Sequence, residues 1–133
     1  MKTAVDTNVL LRYLLADEPQ QAEIARTLVH EADLLIVPLP VLCEVVWVLR
    51  QGYKLTPAAI ADALDILIGA DNVQTSRAAV ETGLAMLRAG GDFADGVIAH
   101  DAKTLGARRF ATFDKKSANL LNRLNVIPAQ LLR

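Results

Sequence analysis

The sequence is poor in cysteine, histidine and aromatic residues, and each shortage closes off a class of chemistry. A single cysteine, Cys43, excludes an internal disulfide and suits a reducing compartment. The two histidines, His30 and His100, stand far apart with no cysteine cluster near them, which argues against a zinc site. Aromatic residues make up 5% of the chain, and Trp47 and Tyr13 are read as packing in a core or an interface rather than stacking on bases. Long apolar runs are missing too. None approaches the roughly 20 residues of a membrane span. At the N-terminus, Asp6, Asn8 and Arg12 interrupt the apolar residues, so no signal-peptide core is expected. The expected location is the cytoplasm. Net charge is only −1, so any contact with nucleic acid must come from a local basic patch and not from the bulk field.

What the chain does have is apolar substance. With 133 residues, 53% of them hydrophobic and 22% charged, it is long enough to bury a real core and reads as one globular domain over residues 1–133. Residues 2–5 read as a short strand ending at Asp6, with Thr7 or Asn8 capping a helix over about 8–15. Pro19 sits in the first turn of a helix over about 18–31, and Leu34–Val37 is an apolar strand stopped by Pro38. Pro40 opens a helix to residue 51, and Thr56-Pro57 opens another to residue 69. A weak strand at 72–75 precedes helices over about 77–89 and 93–106, the latter capped by Asp92. A strand at 109–113 leads to Asp114, a short helix over 115–123 and a small last strand at Val126-Ile127. Short apolar strands alternating with longer helices predict an α/β fold, a parallel sheet covered by helices.

Four acids stand out because each sits in an apolar setting. Asp6 and Asp114 end predicted strands, and in open parallel sheets the ligand crevice lies beyond the carboxyl ends of the strands. Asp95 falls in the first turn of a helix just after Gly90-Gly91. Glu44 is the one charge in the run Val41–Leu49, and a helix apolar all round is expected to be buried, so this carboxylate needs a partner or a metal. Two unit charges about 4 Å apart repel by about 4 kcal/mol at an effective dielectric of about 20. The simplest remedy is a divalent cation such as Mg²⁺ or Mn²⁺, which prefers carboxylate and water oxygens.

Each acid also has a plain structural reading. Asp92-x-x-Asp95 is a loose capping box, Asp114 can cap the helix that follows, Asp6 can start a turn, and Glu44 can pair with a buried arginine. Asn8, Asp92 and Thr112 are accessory candidates: Asn8 as a cap or a contact to metal-bound water, Asp92 as a cap, Thr112 as a strand residue or part of the site lining. Arg108-Arg109 and Lys115-Lys116 are either solvated charges or phosphate contacts. The functional reading gains from the set, since four acids occupy four separately expected crevice positions.

Four stretches in this order resemble the PIN-domain nucleases, and within them the VapC-type toxins of bacterial toxin–antitoxin pairs. They are Val5-Asp6-Thr7-Asn8-Val9-Leu10, Leu42-Cys43-Glu44-Val45-Val46-Trp47-Val48-Leu49, Asp92-Phe93-Ala94-Asp95-Gly96-Val97-Ile98-Ala99 and Ala111-Thr112-Phe113-Asp114-Lys115. The resemblance implies a PIN-like parallel sheet of about five strands in a three-layer α/β/α arrangement and a homodimer. It further implies Mg²⁺- or Mn²⁺-dependent cleavage of RNA and inhibition by a VapB-like antitoxin. It places the acidic site on Asp6, Glu44, Asp95 and Asp114, as catalytic residues and metal ligands. Asp92 matches a less essential position. Gly96 stands where alanine is usual, which weakens that helix by about 1 kcal/mol. His100 replaces a small residue and is expected at an interface.

Two other function classes stay open on the sequence. Phosphotransfer through Asp6 is one, although Asp6-Thr7-Asn8 lacks the second aspartate of an Asp-x-Asp phosphatase loop. The other is a catalytically idle binding module that acts with a partner in a DNA-binding regulatory complex, against which the intact acids argue.

Overall fold

The computed structural model describes all 133 residues. Strands and helices alternate as β1 (Lys2–Ala4), α1 (Thr7–Leu15), α2 (Pro19–Glu31), β2 (Leu34–Ile36), α3 (Leu39–Gln51), α4 (Pro57–Gly69), β3 (Val73–Gln74), α5 (Arg77–Arg88), α6 (Phe93–Thr104), β4 (Phe110–Thr112), α7 (Lys115–Arg123) and β5 (Ala129–Leu131). The fold is α/β, every strand pairing is parallel, and the chain resolves into two compact units, Met1–Thr75 and Ser76–Arg133. No helix is long and apolar enough to cross a membrane.

In the first unit, β1 and β3 flank β2, with Thr3 opposite Leu35 and Leu35 opposite Val73. Leu35 is fully buried and sits at the centre of this ladder. Helices α1, α3 and α4 supply Leu10, Leu42, Leu49, Ile60 and Leu64, all fully buried. Arg12 on α1 binds Asp17 at 3.0 Å and the Tyr53 hydroxyl at 3.3 Å, while its Nε is buried without a partner.

The second unit pairs β4 with β5, Ala111 opposite Gln130. Its core joins Met86, Ala99, Leu120, Leu121 and Ile127. All three of its helices end in the same way: a residue of positive φ follows the helix, and its own N–H and that of the next residue bond back to carbonyls of the final turn. Gly90 (φ 92°), Gly106 (φ 104°) and Asn125 (φ 56°) hold these positions.

The five expected strands are present and their pairings are all parallel, three in one hydrogen-bonded ladder and two in another. One expectation is corrected here. The last strand is Ala129–Leu131, beyond Pro128, and not Val126-Ile127. Ile127 is drawn into the core instead, and the Asn122 side chain takes the Ala129 N–H at 2.8 Å and gives a hydrogen bond to its carbonyl at 3.1 Å. The apolar pair had looked like a strand because burial and pairing leave the same mark on two residues.

Candidate active site

Within the second unit three carboxylates come together at the starts of α6 and α7. Asp92 is the N-cap of α6, its Oδ1 accepting the Ala94 N–H at 3.0 Å. Asp95 lies in the first turn of the same helix and is half-buried. Asp114 caps α7, its Oδ1 accepting the Ser117 N–H at 3.0 Å. The turn into α7 is held by Thr112, the last residue of β4, whose hydroxyl accepts the Asp114 N–H at 3.0 Å. Thr112 therefore orients Asp114 through the backbone.

Ser117 is the residue that the sequence reading passed over as a ligand-site member. It is buried, 5% exposed, among otherwise apolar buried residues. Its N–H serves Asp114 while its hydroxyl donates to Asp95, so one residue ties the two acids to α7. The available signal was its place three residues after the Asp114 cap, which puts a small polar side chain on the inner side of the first turn.

Burial raises the Asp95 carboxyl above its ordinary value. The Ser117 hydrogen bond pulls it back, and the charges of Asp92 and Asp114 push it up again. Burial is the largest of these effects. A carboxylate that is half desolvated and repelled by two neighbours gains from any cation that reaches it.

Asp6, Asn8 and Glu44 belong to the first unit. Asp6, exposed at the end of β1, is the N-cap of α1, its Oδ1 accepting the Val9 N–H at 3.0 Å. Thr7 and Asn8, expected as caps, are the first two helical residues. Asn8 is exposed and lines an apolar groove between α1 and α2 with Val9, Arg12 and Ile24. Glu44 is corrected more sharply: it is exposed on α3 and pairs with no arginine. Helix α3 buries Leu42, Val45, Val46 and Leu49 on one side and leaves Glu44 and Trp47 outside, Trp47 at 66% exposure. An apolar outer face had made the helix read as wholly buried. His100 is half-buried on α6 and lines a groove with Glu81 and Lys103.

Gly96 also changes meaning. A Cβ there would meet the Gly83 Cα at 2.7 Å and the Thr82 carbonyl at 2.8 Å. The glycine lets α5 and α6 touch backbone to backbone beneath Asp95, so it is a packing requirement and not a flaw in α6.

No group of three or more His, Cys, Asp or Glu side chains forms a ready-made metal cage. A cage is not what the smaller divalent ions need. Mg²⁺ is usually held by one or two carboxylates, waters and the substrate's own phosphates. Asp95 and Asp114, mutually repelling and tied by Ser117, fit that donor chemistry: hard oxygens and excess negative charge.

The family model described as PIN domain matches residues 3–122. No curated protein matches the chain.

Proposed function

The chain belongs to the PIN-domain family, and from that premise we propose that it is a Mg²⁺- or Mn²⁺-dependent endoribonuclease of the VapC toxin type, with residues 1–133 working as one domain. The observation that carries the proposal is the setting of Asp95: half-buried, its carboxyl raised by desolvation, with Asp92 and Asp114 adding repulsion and Ser117 fixing its orientation. Structural caps need none of this, since a cap works while exposed, as Asp92 does. Asp95 contributes a carboxylate that no helix terminus requires.

In this reading Asp95 and Asp114 hold the ion, and the resemblance to the PIN-domain nucleases adds Asp6 and Glu44 as further oxygen donors. When bound, the ion supplies positive charge that activates water and stabilises the charge developing on the phosphodiester. Ser117 keeps one Asp95 oxygen engaged, so the carboxylate arrives oriented and not rotating freely. Thr112 does the same for Asp114 through the backbone turn. Because the Asp95 carboxyl is raised, the ion competes with a proton for it over a range shifted upward from the ordinary carboxylate one, and apparent affinity for the ion falls as pH drops through that range.

The test is cleavage of RNA with Mg²⁺ or Mn²⁺ by wild type, Asp6→Asn, Asp95→Asn and Asp114→Asn. Loss of a hundredfold or more, about 2.7 kcal/mol of transition-state stabilisation, is expected in Asp95→Asn. Undiminished cleavage in both Asp6→Asn and Asp95→Asn overturns the assignment.

A homodimer and a VapB-like antitoxin complete the proposal. Trp47 on α3 and Ile66 on α4, 66% and 78% exposed, supply apolar surface of the kind that interfaces cover. Growth arrest on expression, relieved by a short reading frame encoded beside this one, supports the toxin assignment. Growth unaffected by an RNA-cleaving protein removes it.

A further inference from the structure

The near-neutral total charge hides an uneven distribution. Residues 1–75 carry five Lys and Arg against ten Asp and Glu, a formal net of −5, while residues 76–133 carry nine against five, a net of +4. Three of the five acids in the second unit are Asp92, Asp95 and Asp114. Its remaining surface is therefore strongly basic.

One part of that surface is the outer face of α7. Lys115, Lys116, Asn119 and Arg123, with Ala89 and Leu120, line an open groove of about 450 Å³ that contains no acid. The three cations are exposed and none forms an ion pair. Residues 115, 119 and 123 recur every four positions and so share one side of the helix. Gly90, next in sequence to Ala89, leaves the Lys116 ammonium uncrowded: even an added Cβ there would lie 4.0 Å from Nζ, and its φ of 92° disfavours any side chain. The groove starts beside the acids, since Lys115 directly follows the Asp114 cap and Ser117, one turn in, binds both Asp114 and Asp95.

We propose that the α7 groove binds the phosphate backbone of a single RNA strand and leads it to the Asp95–Asp114 acids. This rests on the nuclease reading above and names the residues that hold its substrate. The spacing selects a chain of phosphates over a lone anion. Eight residues of helix separate Lys115 from Arg123, about 12 Å of rise, so a single phosphate cannot touch both ends. The field has a second role: carboxylates repel a polyanion, and a cationic track beside them offsets that repulsion where the strand must approach.

The experiment measures binding apart from cleavage. A short fluorescein-labelled single-stranded RNA is titrated with the full chain in EDTA over a series of salt concentrations, followed by anisotropy. Each phosphate contact on a single strand contributes about 0.7 to the slope of log affinity against log salt. The Lys115→Ala/Lys116→Ala/Arg123→Ala variant is expected to lose about 2 from that slope and roughly tenfold or more in low-salt affinity. Lys115→Arg/Lys116→Arg is expected to keep both. An unchanged slope in the triple variant overturns the proposal. So does an equal loss in Lys103→Ala/Arg108→Ala, which would assign binding to the general field, and so does displacement of RNA by polyaspartate at matched charge, which would point to an acidic protein. RNA bound in this way but never cut with Mg²⁺ or Mn²⁺ leaves the groove standing and removes the nuclease reading. Cleavage at the wild-type rate by the triple variant at subsaturating RNA does the reverse.

Discussion

Asp95 and Ser117 set the terms at the scale of the residue. A carboxyl whose pKa is raised by folding penalises the folded state wherever it is ionised. That penalty is absent below the ordinary carboxylate pKa, grows as pH rises from there to the raised value, and is complete above it. Asp95→Asn removes the charge and keeps an oxygen to accept from Ser117. We therefore expect a higher melting temperature than wild type at neutral pH without divalent ions, with the gain shrinking as pH falls toward about 4. A variant that melts lower at neutral pH would mean the charge is already neutralised within the fold. Ser117→Ala removes the donor that favours the ionised form. The acid limb of the pH–rate profile should move to higher pH and the half-saturating Mn²⁺ concentration should rise severalfold. A structural role alone would lower stability and leave the pH profile in place. Ser117 was hard to single out because serine near a helix start is common, and only its burial and its two acceptors separate it from an ordinary first-turn residue.

Between elements, the controlling contact is α5 on α6. Gly83 and Gly96 face each other, and a Cβ on Gly83 would lie 2.8 Å from the Phe93 ring and 3.0 Å from the Phe93 carbonyl. Gly96→Ala gains about 1 kcal/mol of helix propensity. Overpacking against backbone atoms, which cannot rotate away, costs about 1–3 kcal/mol. The second effect wins, so the variant should melt lower and also lose activity, because α6 carries Asp95. Melting at or above the wild-type temperature would show that the helices separate freely. Propensity alone gave the opposite sign for this position, since it counts only what a residue does to its own helix. Helix α3 teaches the same limit. Its pattern fixed the buried side at Leu42, Val45, Val46 and Leu49, but Trp47 and Val48 extended the apolar surface around the cylinder and made Glu44 look enclosed.

For the whole molecule, a ligand that binds only the folded chain raises its stability by RT ln(1 + [L]/Kd). Mg²⁺ or Mn²⁺ at 100 times Kd should add about 2.7 kcal/mol, several degrees in melting temperature, with or without RNA present. EDTA should reverse the shift and Asp95→Asn should abolish most of it. Equal shifts in wild type and Asp95→Asn would place the ion elsewhere. This readout does not need turnover, so it separates metal binding from catalysis.

Sequence by itself determined the alternation of strands and helices, most of their limits, and the four acidic stretches, because these depend on neighbours a few residues apart: Pro57 after its Thr56 cap, Pro38 after β2, Asp92 before α6. Tertiary structure alone decided which polar groups lose water. It exposed Glu44, half-buried Asp95, put Ser117 between two carboxylates and turned three cations of α7 outward into one groove. Desolvation depends on every atom packed around a group, and those atoms come from segments whose distance along the chain says nothing about their distance in space.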